Sequence, residues 1–283
     1  MVYRGRRQPN GLKLVSEGEI LVEKVTQSRG HIHLDNTPQW DGIWREGHHL
    51  YELQKWKDAF KGHRCFVIGT GPSLTKVPRE LLEKLCEEYC FGLNLIVKCG
   101  LPFQPQLIAI FLSEWRWRDD IGIPDIIEML KGSGKELPPI KVYSHERPLD
   151  ELTKDGWVYI PCHQGKRVED SRFEGLGTYL RRVGFGYSVA LTAIQFACWV
   201  GFTEVYLLGC DGTSKGHAYD EDAEIDKRGD QSGFHRSAVE AERIMREAGR
   251  TLVDLTEGGA LPIAKGHLSE VLDTLCPCGY RGR

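Results

Sequence analysis

An α/β fold, built on a mostly parallel sheet with helices on both faces, is what this sequence predicts. Two observations carry that expectation. From residue 50 onward, helical and strand-like periodicities alternate along the chain. Several of the strand-like runs are apolar throughout rather than alternating, as strands covered on both faces must be.

Taken in order, LYELQKWKDAF (50–60) spaces Leu50, Leu53, Trp56 and Phe60 on one helical face, and CFVIG (65–69) reads as a short buried strand. LTKVPRELLEKLCEEY (74–89) reads as helical, and CFGLNLIV (90–97), LIAIFL (107–112) and IKVYS (140–144) read as strands. DDIGIPDIIEMLK (119–131) supplies a helix between the last two, and WVYIP (157–161) adds a short strand. GYSVALTAIQFACWVG (186–201) is apolar almost all round, the pattern of a helix buried between layers. TEVYLLGCD (203–211) is a continuous apolar strand ending in a polar tip. HRSAVEAERIMREAG (235–249) is an amphipathic helix closed by Gly249, and TLVDL (251–255) follows as a strand. Residues 1–50 carry mixed charge with little periodicity and read as an N-terminal arm or irregular cover; residues 51–283 form the sheet-based domain.

The chain has 283 residues, enough to bury a sizeable core without staples. A net charge of −3 with scattered Lys and Arg gives no basic footprint for nucleic acid. No run of 18 apolar residues and no signal-peptide core is present, so a soluble, cytoplasmic protein without a membrane segment is expected. Cys65, Cys162, Cys198 and Cys210 sit in apolar stretches and read as reduced core thiols. Cys276 and Cys278 have the shape of half a metal site, but a structural zinc needs a second pair or histidines at fixed spacing, so no metal site is assigned.

Between strand 65–69 and the helix after it stands Gly69-Thr70-Gly71-Pro72-Ser73. Glycines let a backbone approach a phosphate, a helix start presents unpaired N–H groups, and Pro72 suits the first helical position while Ser73 adds a hydroxyl. The turn lacks the Gly-Lys-Ser/Thr of a Walker loop and the third glycine of a dinucleotide fingerprint, where Leu74 stands. It reads equally as a phosphate cradle or as a tight strand-to-helix connection. Asn94 ends the next strand, at the level where such sheets place a ribose-reading group. An amide there can donate and accept without setting charge against a phosphate.

CFVIGTGPSL, FGLN, GYSVALTAIQFACWVGF running into TEVYLLGCD, then GFH and TLVDLTEGGALP together resemble the DUF115 group of MptE-like proteins. More distantly they resemble the family 42 bacterial sialyltransferases. The likeness runs in consistent order over roughly residues 55 to 275. It implies a Rossmann-like sheet and a nucleotide pocket lined by Gly69, Thr70, Gly71, Pro72, Ser73, Asn94, Ser188 and Asp211. It further implies that Tyr219 steadies the leaving phosphate and that His235 is the general base. The sialyltransferase turn usually carries Asn where this chain has Thr70, and a second phosphate-binding tyrosine of that family falls on Thr213. The first keeps a hydroxyl but loses the amide, which leaves the identity of the nucleotide open, and the second argues against a strict sialyltransferase. Read from the residues alone, His235 suits the same task, because imidazole is the side chain that titrates nearest neutrality.

The long polar connection 212–233, bounded by glycines, has the form of a lid; His217 within it reads as a second histidine able to substitute for His235 or as a solvated loop residue. The acidic run 220–226 can recruit Mg²⁺ or simply face solvent, and Arg181, Arg182 and the RWRDD stretch at 116–120 can hold acceptor or phosphate or serve as surface charge. The expected function is a nucleotide-sugar-dependent glycosyltransferase acting on a hydroxyl-bearing acceptor, with no required cofactor if it is sialyltransferase-like. The alternatives are an MptE-like 6-hydroxymethylpterin diphosphokinase, which would use ATP and Mg²⁺, and a non-catalytic nucleotide-binding module.

Overall fold

A computed structural model describes residues 12–16, 19–22, 57–102, 111–113, 128–129, 131–132, 141–145, 157–163, 183–184, 188–213, 216–219 and 231–274. The expectations placed on Arg181, Arg182, residues 116–120 and 220–226, Cys276 and Cys278 lie outside these residues, as does the side chain of Cys162.

The fold is α/β and Rossmann-like. Its strands are β1 (Leu12–Ser16), β2 (Glu19–Val22), β3 (Arg64–Ile68), β4 (Cys90–Gly92), β5 (Phe111–Ser113), β6 (Val142–His145), β7 (Val158–His163), β8 (Val183–Gly184), β9 (Glu204–Leu208) and β10 (Thr251–Asp254). The helices are α1 (Arg79–Lys84), α2 (Val189–Trp199), α3 (Ser232–Glu247) and α4 (Leu268–Asp273). One parallel sheet runs β10-β9-β3-β4 and a second runs β5-β6-β7-β8; β1 and β2 pair antiparallel within the segment read as irregular.

Strand β3 is central to the first sheet and buried along its whole length. Its alternate residues feed two cores. Cys65 and Val67 pack with α2, with Ala238, Ala241 and Met245 of α3, and with Val205 and Leu207 of β9. Phe66 and Ile68 pack with Leu74, Leu85, Leu208, Leu255 and Leu268. The period-two side-chain alternation of a strand thus divides one sheet between two helical layers. Every residue of α2 is buried, so its nearly uniform apolarity reflects contact on all sides.

Three readings of the sequence differ from the structure, each for a local reason. Residues 57–60 form a turn rather than helix, because Asp58 N–H and Phe60 N–H donate to Trp199 and Val200 carbonyls at the end of α2. The 74–89 helix is divided at Pro78: a 3₁₀ turn (Pro72–Lys76) precedes it, and α1 with a second 3₁₀ turn (Leu85–Glu87) follows, since the residue before a proline is driven out of helical conformation. The strand at 90–97 stops at Gly92 and gives way to a 3₁₀ helix, Asn94–Cys99.

Arg64 opens β3 and is nearly sealed from solvent, with 4% of its side chain exposed. Its guanidinium forks onto Glu88, Nε to Oε2 at 3.0 Å and Nη2 to Oε1 at 2.5 Å. Nη1 donates to the Val271 and Thr274 carbonyls and to Thr274 Oγ1. One buried cation therefore ties the first strand of the sheet to the end of α4. Arg64→Met is expected to strand Glu88 and to lower stability by roughly 3 kcal/mol in urea unfolding, without loss of fold at low temperature.

Burial pushes the Cys65, Cys90 and Cys210 thiols well up, and the Cys99 and Cys198 thiols to about 12 from an ordinary 9.0. The native state thus keeps protons that the unfolded chain releases. This stabilisation is complete below pH 9.0 and declines as pH rises from there toward about 12. Iodoacetamide at pH 8 with peptide mapping should modify exposed Cys86 in the native protein and spare Cys65, Cys90, Cys198 and Cys210 until it unfolds.

Candidate functional site

At the carboxyl end of the first sheet three strand ends converge. Leu93 N–H donates to the Ile68 carbonyl on one side, while Gly69 N–H donates to Leu208 and Gly71 N–H to Gly209 on the other. In parallel sheets this edge is where ligands bind.

The two glycines of the turn are accounted for by the protein itself. A Cβ at Gly69 would lie 2.5 Å from the Gly209 carbonyl oxygen, and one at Gly71 would lie 1.8 Å from Asp211 Oδ2. They are required because the chain after β9 presses on the chain after β3. Asp211 then reaches across: its Oδ1 accepts from Ser73 N–H at 3.2 Å and its Oδ2 from the Ser73 hydroxyl at 2.7 Å. The anion held by Ser73 in this structure is therefore the protein's own carboxylate, whereas the sequence reading had Ser73 offering its hydroxyl to a ligand.

Asp211 is held from behind as well. Its carbonyl accepts from Ala260 N–H at 2.7 Å, and Thr256 Oγ1 accepts from Cys210 N–H at 3.1 Å. The 255–261 loop that supplies these bonds is anchored at Asp254, which is buried and takes Lys265 at 2.5 Å. Cys210, beside Asp211, is a buried thiol raised first by desolvation and then by the Asp254 and Asp211 charges. It is core and not a nucleophile.

Asn94 has the most unusual environment in the site. It has a positive φ of 46° and is 6% exposed, and its Oδ1 is buried with no hydrogen-bond partner among the described residues. A left-handed backbone and an unmade hydrogen bond at one residue are both unfavourable, the second by about 1–3 kcal/mol.

Thr70 faces the segment after β9. Its Oγ1 lies 2.9 Å from His217 Nδ1 and its carbonyl accepts from Ala218 N–H at 2.8 Å. The His217 ring stacks on Tyr219 with centroids 4.8 Å apart and planes 8° from parallel, and Lys98 Nζ lies 5.6 Å from the Tyr219 centroid. Lys98 went unnoticed in the sequence because a strand through 90–97 would carry it away from the edge. The 3₁₀ helix that replaces that strand turns it back, and no sequence signal marks the change.

His235 lies in the first turn of α3, half-buried, with Nε2 2.6 Å from the Gly212 carbonyl oxygen. A carbonyl only accepts, so Nε2 carries the proton and Nδ1 the lone pair. Gly212 is a site residue that sequence reasoning missed. It has φ +62°, and a Cβ there would lie 2.8 Å from Leu261 and 3.1 Å from His235 Nε2. Ser188 caps α2 by accepting from Ala190 N–H at 3.2 Å. The structure thus joins Gly69, Thr70, Gly71, Ser73, Asp211, His217 and Tyr219 by direct contact, sets Asn94 beside them by strand register, and links His235 through Gly212. Pro72 begins the 3₁₀ turn, and Ser188 stands at the start of α2. Among the described residues no three His, Cys, Asp or Glu side chains converge as metal ligands, and no helix is long and apolar enough to cross a membrane.

No protein-family model matches the chain, and no curated protein matches it. Among solved structures it is similar to the MAf glycosyltransferase from Magnetospirillum magneticum AMB-1, with a TM-score of 0.46 and 14% identity over 77% of this chain. The match takes in 37% of that protein, so the chain spans little more than a third of its length. It is also similar to the sialyltransferase CstII from Campylobacter jejuni, solved in complex with a substrate analogue, cytidine-5'-monophosphate. There the TM-score is 0.44 and the identity 14%, over 74% of this chain and 86% of that one.

Replacing Asn94 by glycine removes both the unpaired oxygen and the left-handed strain. Asn94→Gly is expected to raise ligand-free stability by about 1 kcal/mol in urea unfolding, after the entropic cost of the added glycine. Unchanged or lowered stability would mean that the Asn94 side chain has a structural role.

Proposed function

We propose that the chain is a nucleotide-sugar-dependent glycosyltransferase, with the nucleotide in the crevice outside the carboxyl ends of β3, β4 and β9. The observation that carries this reading is Asn94, a buried amide at that edge with a left-handed backbone, whose oxygen finds no partner among the described residues. A ribose or base would satisfy it, since an amide donates and accepts at once.

In this reading His235 Nδ1 takes the proton of the acceptor hydroxyl as that oxygen bonds to the anomeric carbon of the donor sugar. The bond from the anomeric carbon to the phosphate oxygen breaks, and the nucleotide phosphate leaves with the electron pair, steadied by Tyr219. Nε2–H remains on the Gly212 carbonyl, whose partial negative charge favours the imidazolium that forms. Asp211 sets the spacing of the pocket through Ser73.

A thermal-shift series with CMP, UDP, GDP, ADP and their sugars tests the reading directly. The correct ligand at 100 times its dissociation constant should stabilise by about 2.7 kcal/mol. His235→Ala should keep that shift and lose turnover. Stabilisation by none of these ligands would overturn the proposal. Pyrophosphoryl transfer from ATP to a hydroxymethylpterin, abolished by EDTA, would establish the diphosphokinase instead. Nucleotide binding without any transferase activity would leave a binding module.

A further inference from the structure

We propose that Thr70 and His217 form a latch that positions Tyr219 at the mouth of the site, and that this latch, rather than contact with a nucleobase, is the role of residue 70. The inference rests on the nucleotide reading for what Tyr219 meets, but the latch itself is a property of the ligand-free protein.

Residue 70 grips the 216–219 segment twice, through its carbonyl on Ala218 N–H at 2.8 Å and through Oγ1 on His217 Nδ1 at 2.9 Å. The first bond sets the path of the segment, and the second sets the plane of a ring. His217 and Tyr219 are two residues apart, and the turn at residues 218–219 brings the second ring back onto the first. The Tyr219 ring lies flat on the imidazole at 4.8 Å and 8°. Fixing one ring therefore fixes the other. Lys98 Nζ, 5.6 Å from the Tyr219 centroid, adds a cation brought in from the chain after β4.

A threonine hydroxyl suits this task because it both donates and accepts, and so serves either imidazole tautomer. Valine has nearly the same shape and can do neither. Thr70 and His217 are each half-buried, where a lost hydrogen bond is felt more than at a fully exposed site. His217 is thus a positioning residue, a third possibility beside the substitute base and the solvated loop histidine.

The test uses the full chain and the variants Thr70→Val, Thr70→Ser, His217→Ala and the Thr70→Val/His217→Ala pair. Without ligand, amide hydrogen exchange of residues 216–219 should rise about tenfold in Thr70→Val and in His217→Ala, no further in the pair, and not at all in Thr70→Ser. The nucleotide that stabilises the wild type should bind Thr70→Val and His217→Ala about tenfold more weakly by calorimetry, with the order among CMP, UDP, GDP and ADP unchanged. Wild-type exchange in Thr70→Val would overturn the latch, and so would a reordering of nucleotide preference, which would mark residue 70 as a base reader. If no nucleotide binds the wild type, the functional reading fails and exchange alone decides the latch.

Discussion

The carboxylate of Asp211 is the constraint on which the rest of the site depends. It ends the polar tip after β9 and holds the first turn after β3 through Ser73, so two adjacent strands are tied where their backbones already touch. The glycines at 69 and 71 follow from that contact, since a side chain at either position would occupy space already filled by Gly209 or Asp211. Gly212, Leu261 and His235 pack next in line, and the 255–261 loop braces the Asp211 backbone from behind. A displacement of Asp211 would reach Thr70 through the turn and His235 through Gly212.

The sheet was legible because its central strand β3 is buried along its whole length, and continuous apolarity is the pattern of a strand covered on both faces. β3, β9, β10 and the buried helix α2 lie where their patterns place them. Proximity among the candidate residues was legible too, because parallel strands deliver their following loops to one edge. The elements misread were those decided by tertiary contacts. The 57–60 backbone finds its partners at the end of α2, and the chain after Gly92 adopts a left-handed Asn94 and a 3₁₀ helix where its composition suggests a strand. The glycine turn, the most visible motif in the sequence, proved the least diagnostic, because close packing and phosphate binding make the same demand on a backbone.

Helix α2 carries a further polar feature within its apolar length. Ser188, Thr192 and Gln195 fall at intervals of four and three and so share one face. Ser188 caps the helix, while Thr192 Oγ1 and Gln195 Nε2 are buried with no hydrogen-bond partner among the described residues. With Asn94 they make three unsatisfied polar side chains in elements that meet the carboxyl edge or run back from it. A core built for stability alone would replace them with apolar groups of like volume at little cost.

The charges at the edge are unevenly placed, and this limits how any anionic ligand can lie. Asp211 stands on the Ser73 side, and Lys98 stands beside Tyr219. At an effective dielectric constant near 20, two like charges about 4 Å apart repel by about 4 kcal/mol, so a phosphate on Ser73 would displace the carboxylate that shapes the pocket. A phosphate on the Tyr219 side would meet a cation and leave the contact between Asp211 and Ser73 intact. A glycine-rich turn is ordinarily read as the phosphate cradle, but here its helix start is filled by a carboxylate. On the proposed nucleotide reading, the phosphate would therefore lie toward Tyr219 and Lys98 rather than on the glycine turn.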